Sequence, residues 1–471
     1  MKNFKQFRTF LESLKTVHPV FKAAIRSYEI VFEGVKGAMT MVSGAVPSDY
    51  AVTKAIHEAT GKKMTKINWS DFEDPMVQAG VELMNLVNQK GYEAYVVGGA
   101  VRDIAMGDKD VHDIDIATNM PIDEIKKNFK TVEYGGGERH GTVIVHFKSN
   151  DYELTQFRTE GSYSDSRRPD SVEFVQSFEE DTKRRDFTIN AMGIDAEGNV
   201  IDYHGGTDDI EKGLLRTVGD AKERFSEDAL RILRAVRFAA RFDFNVDDKT
   251  MEAMKELKET VNSTSIERIR DELFKTIDYG GDKFANALDL LMETGIWDVI
   301  VPEVQLSAEK IDQVRQANTK DPKINFAILL QDKDTNQIKN LGKRMTLTND
   351  EVKSITFIDA MLEHYANLGG IPRSAALKIV VNPDFSILRE TFVAINGRDI
   401  ENSDDIIEKI STFKTVTDRQ KQVNQFIMDA GVQGAKFGEI GRTVMNWLFS
   451  EYNTGNEPSD DEVKGYIGKL V

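Results

Sequence analysis

An apolar run closing in two adjacent glycines, followed by a second run carrying two aspartates, constrains this chain more than any other feature. The first is YEAYVVGG, ending at Gly98 and Gly99; the second is VHDIDIAT, with Asp113 and Asp115. β-Branched and aromatic residues bounded by glycine predict a buried strand that turns at Gly98. Side chains alternate along a strand, so Asp113 and Asp115 are predicted on one face, among Val111, Ile114 and Ile116. Two carboxylates held side by side repel each other, and a divalent cation relieves the repulsion. Mg²⁺ suits such a site because it takes hard oxygen ligands and few of them from protein. A glycine pair alone is usually a turn, and a lone DxD is usually a pair of solvated acids. Their succession is much rarer. Tight glycines bring backbone N–H groups and a helix N-terminus toward an anion. Arg102, in the helix expected behind them, adds a bidentate phosphate contact. Asp103 either orients Arg102 or touches a nucleotide.

A third acid, Glu153, lies in YELTQFR, another predicted strand. An isolated surface glutamate is the bland alternative. Beside Asp113 and Asp115 it completes a triad for two metal ions, one activating an attacking hydroxyl and the other holding a triphosphate.

Around this block the pattern alternates strands and helices. TVIVHF, INAMGID and the stretch near 200–203 read as strands, and PIDEIKKNF as a short helix. A small mixed sheet with helices on one side is the economical fold. A helix is expected to start at the Asp74-Pro75 step and run to the break at Gly91. Beyond Gly219 the chain reads as helical, most clearly in SEDALRILRAVRFAARF, with Ser226 as expected N-cap. The expected organisation is a leader of unknown role over 1–74, partly helical, a catalytic head over 75–205, a hinge and helical neck over 206–275, and a helical body and tail over 276–471. A chain of 471 residues is long enough for such a multi-domain plan.

Composition narrows the function classes. Hydrophobic residues are 40% and charged residues 30%, which fits an ordinary soluble chain. Cysteine is absent, which excludes disulfides and thiolate metal sites and suits the cytoplasm. No membrane partner is expected, since no apolar run has the length of a span. The net charge of -17 taken alone disfavours a nucleic-acid partner. Residues 216–241 run against it, with seven Arg/Lys and four Asp/Glu.

The remaining motifs carry nucleotide and primer chemistry. RRDFTINAM supplies Arg184, Arg185 and Asp186, a pattern that suits phosphate and ribose contacts but is also that of a surface salt bridge. Asp228 and Arg231 are three apart, so on a helix they share a face. An ordinary ion pair explains that spacing. So does a protein template, because Arg donates, Asp accepts, and together they match a base edge.

These motifs resemble those of the class II tRNA nucleotidyltransferases and bacterial poly(A) polymerases, members of the polymerase-β-like superfamily. The resemblance is carried by GGAVRDIAMGDKDVHDIDIAT from Gly98, by HGTVIVHF, by YELTQFRTEGSYSDSRRPDSVEF from Tyr152, by RRDFTINAM and by SEDALRILRAVRF. It extends from about 93 to 272 and fades toward the C-terminus. It implies an α/β nucleotidyltransferase head followed by a mostly α-helical neck, body and tail. It implies that Gly98, Gly99 and Arg102 hold the triphosphate and that Asp113, Asp115 and Glu153 bind Mg²⁺. Arg184, Arg185 and Asp186 contact the nucleotide, and Asp228 with Arg231 reads CTP or ATP. Arg158, Arg167 and Arg168 belong to a mobile basic segment, and Arg234 and Arg237 pack the helix or meet RNA phosphates. DYHGGTDDIEKGLLRTVGD resembles the family's hinge. The implied activity is untemplated addition of CCA to the tRNA 3′ end, without a DNA partner. Poly(A) polymerase, partial CC- or A-adding enzymes, a silent RNA-binding scaffold and a small-molecule acceptor are the alternatives. The absence of an extended basic tail favours CCA addition among them, and the absence of an HD-type histidine–aspartate cluster argues against an attached metal-dependent phosphohydrolase.

Overall fold

The computed structural model describes residues 65–111, 113–132, 141–161, 172–454 and 456–471. The chain divides into two compact units, one ending at Thr264 and the other beginning at Ser265.

The first unit opens with helix α1 (Pro75–Gln89). Asp74 caps it, its carboxylate accepting the Met76 N–H at 2.7 Å, and Pro75 occupies the first turn, where no N–H is needed. Strand β1 (Ala94–Val97) leads through Gly98 into α2 (Gly99–Ala105). Strand β2 (Asp115–Thr118), helix α3 (Ile122–Asn128), and strands β3 (Thr131–Val132), β4 (Thr142–Phe147) and β5 (Asn150–Gln156) follow. Strands β6 (Arg158–Glu160) and β7 (Val172–Phe174) form a separate two-stranded ribbon. Helix α4 (Phe178–Lys183), strand β8 (Met192–Ile194) and strand β9 (Val200–Asp202) complete the head. Its seven-stranded sheet runs β3-β4-β5-β2-β1-β8-β9. The β2–β5 pair is parallel and the other neighbours are antiparallel, so the sheet is mixed as expected.

Strand alternation gives the sheet two different faces. Tyr152 on β5 packs beneath Gly80 of α1 and donates its hydroxyl to the Met76 carbonyl at 2.7 Å. Val97, Ala117, Phe157 and Phe178 form a cluster on the opposite face, with Tyr95 and Phe178 stacked 4.5 Å apart. Helices on one side was therefore too simple, because α4 delivers Phe178 to the other face. Each aromatic pair in that cluster contributes about 1 kcal/mol beyond its buried area.

The chain then passes through α5 (Gly206–Lys212), β10 (Leu214–Leu215), α6 (Ala221–Glu227), α7 (Leu230–Phe242), β11 (Asn245–Val246) and α8 (Asp248–Glu256). The entry to α5 is fixed by Asp202, whose carboxylate accepts N–H bonds from His204, Gly205, Gly206 and Thr207. A Cβ on Gly206 would lie 2.2 Å from the Thr188 carbonyl oxygen, so only glycine fits.

One helical expectation is corrected. The run from Ser226 is not one helix. Asp220 caps α6, Ser226 lies within α6, and the chain is extended at Asp228 before α7 begins. The Asp228 carboxylate accepts the Leu230 N–H at 3.0 Å, a local bond that competes with the helical ladder and breaks it.

The second unit is helical throughout its described residues, from Ile266–Ile277 to Asp460–Leu470. Its last helices share a core that includes Val423, Ile427, Val444, Leu448 and Val463, and Trp447 stacks on Tyr466 at 4.2 Å. Among the described residues, no helix is long and apolar enough to cross a membrane.

Candidate active site

The acidic site is set by where strands β1, β2 and β5 begin and end. Asp115 is the first residue of β2, paired with Val97 on one side and with Glu153 on the other. Partners in register point to the same face, so Asp115 and Glu153 are lateral neighbours. Asp113 precedes the strand and is exposed. The expectation of a strand running through both aspartates is thus corrected at Asp113. The reason lies in β1, which ends at Val97 and leaves no partner opposite Asp113.

Gly98 brings the backbone turn against this acid. Its φ of 73° is a conformation that favours glycine, and a Cβ there would sit 3.6 Å from Asp115 Oδ2. Burial, followed by the charges of Asp113 and Glu153, pushes the Asp115 carboxyl up to about 6, with the Arg185 charge opposing them. Among the described residues no group of three or more His, Cys, Asp or Glu side chains, Asp113, Asp115 and Glu153 included, is already arranged to hold a metal ion. An open carboxylate pair with a third acid nearby fits Mg²⁺, which keeps waters and shares its ligands with phosphate oxygens. The donor set is therefore chemically right for that ion.

A basic network adjoins the acids. Asp181 of α4 is fully buried and holds both arginines of RRD: Arg184 donates Nε and Nη2 to Oδ1 at 3.0 and 2.9 Å, and Arg185 donates Nη2 to Oδ2 at 3.0 Å. The backbone N–H of Arg158 also reaches Asp181 Oδ1, at 3.2 Å. Burial alone would raise the Asp181 pKa, but the two guanidiniums hold it below the ordinary carboxylate range. Asp186 accepts from Arg234 Nε and Nη2 at 2.8 and 2.6 Å and from Asn190 Nδ2 at 3.0 Å. Against the effect of burial, these partners bring it down to about 2.

Asn190 links this group to α2, because its Oδ1 accepts Arg102 Nη1 at 2.8 Å. Arg102 is only 4% exposed. Its Nε and Nη2 go to Asp103 Oδ1, both at 2.9 Å, and its guanidinium lies over Phe238 and Phe242 of α7 at 5.2 and 4.8 Å. Asp103 also meets Arg241 at 3.5 Å. On α7, Arg231 donates Nη1 to Glu227 Oε2 at 2.5 Å and bonds the carbonyls of Arg224 and Arg184 at 3.1 Å.

Residues 94–216 match the Poly A polymerase head domain family, and residues 243–306 match the probable RNA and SrmB-binding site of polymerase A. The head and neck thus resemble the class II tRNA nucleotidyltransferases and poly(A) polymerases. A CCA-adding enzyme of Lactobacillus johnsonii is 47% identical over 220 residues, covering 46% of this chain and 54% of that protein. One from Geobacillus thermodenitrificans is 45% identical over 244 residues, covering 52% and 58%. The chain thus spans about half the length of the curated relatives it matches. The crystal structure of the Bacillus stearothermophilus CCA-adding enzyme in complex with CTP is similar with a TM-score of 0.59 and 28% identity, over 84% of this chain and 98% of that one. The Thermotoga maritima CCA-adding enzyme complexed with tRNA shares the fold at a TM-score of 0.60 and 20% identity, over 86% and 98%.

In the first unit the structure places Asp115 in register with Glu153 and turns the backbone at Gly98 against Asp115, with Gly99 next to it at the start of α2. Arg102 does not project into solvent as a free phosphate fork; it is buried and engaged with Asp103, Asn190 and two aromatic rings. Asp103 contacts Arg102 and Arg241 in the structure. Arg234 faces Asp186, and Arg237 is 7% exposed with its guanidinium 4.3 Å from the Phe238 ring centre. Both are thus built into the packing of α7. Asp228 and Arg231 do not share one helix face, since the chain is extended at Asp228. Arg158 starts β6, and Arg167 and Arg168 lie outside the described residues, as do residues 1–64 of the leader. Sequence reasoning missed Asp181 and Asn190. Asp181 left a signal, an acid three and four residues before two arginines on a short helix.

Proposed function

We propose that this chain is an RNA 3′-terminal nucleotidyltransferase that adds CCA to tRNA from CTP and ATP, releasing pyrophosphate. The observation that carries the reading is the lateral Asp115–Glu153 pair, with Asp113 just upstream and the Gly98 turn against it. It joins the polymerase head match and the CCA-adding relatives. Asp113, Asp115 and Glu153 would hold Mg²⁺, which on binding polarises phosphoryl oxygens and neutralises charge at the reacting centre.

The chain's own groups do the rest. The primer 3′-oxygen bonds to the α-phosphorus of the nucleotide, its proton is lost, and the bond to pyrophosphate breaks. The backbone at Gly98 and Gly99 and the Arg185 guanidinium meet the triphosphate. Asp186, kept ionised by Arg234 and Asn190, faces the sugar. Asp228 and Arg231 read the base edge, with Glu227 setting the Arg231 fork.

The test uses purified protein, Mg²⁺ and tRNAs lacking three, two or one terminal nucleotides, each with CTP and ATP separately. C must enter the first two and A the third. Long adenylate tails would instead identify a poly(A) polymerase.

A further inference from the structure

Asp181 is a buried acid that no step above uses. It is fully buried on α4, and four N–H groups converge on it: two from Arg184, one from Arg185 and the backbone N–H of Arg158. A single negative charge thus fixes two adjacent guanidiniums and the root of the β6–β7 ribbon. The clamp is asymmetric. Arg184 gives one carboxylate oxygen two of its donors, whereas Arg185 gives the other oxygen a single Nη2. Arg185 also extends Nη1 toward the Asn190 carbonyl at 3.4 Å, a long bond. Its buried Nε has no hydrogen-bond partner. The Arg185 fork is therefore only partly satisfied by protein, and its charge acts on Asp115 at the catalytic end of β2.

We infer that Asp181 is a positioning residue for nucleotide binding, holding the Arg185 guanidinium in the orientation that meets the triphosphate of CTP or ATP. The inference rests on the nucleotidyltransferase reading. The physical reason is that an arginine side chain is long and flexible, and its fork recognises phosphate only when its plane is set in advance. Asp181 sets that plane from behind. The same carboxylate holds Arg158 N–H, so the ribbon root and the arginine keep a common reference.

Simple electrostatics makes the opposite prediction, which gives the test a sign. Removing a negative charge beside two guanidiniums makes the surroundings more positive, and charge alone would tighten an anion. Loss of a clamp weakens it. Asp181→Asn is expected to raise KM for CTP and ATP together by about tenfold or more, with a smaller fall in kcat and unchanged tRNA affinity. In an Arg185→Ala background the same change should add less than about twofold, since the residue it positions is gone. An unchanged or lowered KM, or full additivity with Arg185→Ala, overturns the proposal. Should Asp181→Asn not fold, Asp181→Glu keeps the charge but moves it by one methylene, and a KM equal to wild type overturns the proposal there too.

Equilibrium binding of CTP with Mg²⁺, without tRNA, separates this inference from the functional reading. A wild-type protein that binds CTP but extends no tRNA overturns CCA addition and leaves the clamp testable by the loss of binding in Asp181→Asn. A wild-type protein that binds neither nucleotide overturns both.

Discussion

Asp115→Asn should make the protein more stable in the absence of divalent metal, while abolishing its activity. The carboxyl lies between β1 and β5 with Glu153 in register beside it and Asp113 close upstream. Burial, followed by those two charges, lifts it from 3.8 to about 6. A raised folded-state value means that the contribution to stability is fully present below the unfolded value and is lost as pH rises through the folded one. A shift of about two units corresponds to about 3 kcal/mol, incurred between pH 4 and pH 6 and retained above. Asparagine keeps the shape and removes the charge. Urea unfolding in chelator should therefore show the variant more stable than wild type by up to about 3 kcal/mol at pH 7.5, with the difference closing near pH 4. Adding Mg²⁺ should stabilise wild type more than the variant, since the ion offsets the same repulsion. Nucleotide addition by the variant should fall by about a thousandfold or more. A variant less stable than wild type in chelator at pH 7.5, or a difference independent of pH, would refute crowding of carboxylates as the basis of the site.

Asp186→Asn has the opposite sign. Its carboxyl is depressed from 3.8 to about 2 by Arg234 and Asn190 against the effect of burial, so its stabilisation is present above pH 4 and is lost as pH falls toward 2. The variant should lose about 2 kcal/mol in urea unfolding at pH 7, and that deficit should shrink below pH 4. Gly206→Ala forces a methyl to 2.2 Å from the Thr188 carbonyl and should cost at least about 2 kcal/mol, read as a lowered Tm. Arg102→Lys, which cannot serve Asp103 and Asn190 together over two rings, should lower Tm as well, by the equivalent of about 2 kcal/mol.

The strands around the site were legible because burial and glycine leave strong local marks. Val96, Val97, Ile116 and Leu154 are all buried where apolar runs placed strands, and the Asp74-Pro75 start of α1 follows from capping chemistry. Pairing is less legible. Nothing local says that β2 begins at Asp115, because its start depends on where β1 turns away at Gly98. The break at Asp228 was hidden by the apolar periodicity on both sides of it, although a short polar side chain is the type that competes with a helix. Arg102 turning inward depends on Phe238 and Phe242, distant in sequence, so no window around GGAVRD contains the answer. Asp181 sits in FEEDTKRRD, which reads as a solvated charge run until Phe178 is seen to bury the start of its helix.

The most direct test of the account is single-turnover incorporation of CMP into tRNA lacking its three terminal nucleotides, by wild type and Glu153→Gln in parallel. Glu153 is the acid that the β2–β5 pairing brings beside Asp115. The account predicts that wild type adds two C residues and then one A once ATP is supplied, and stops. It also predicts that Glu153→Gln is slower by about a thousandfold or more while still binding tRNA. A Glu153→Gln protein that adds CMP at the wild-type rate would contradict it.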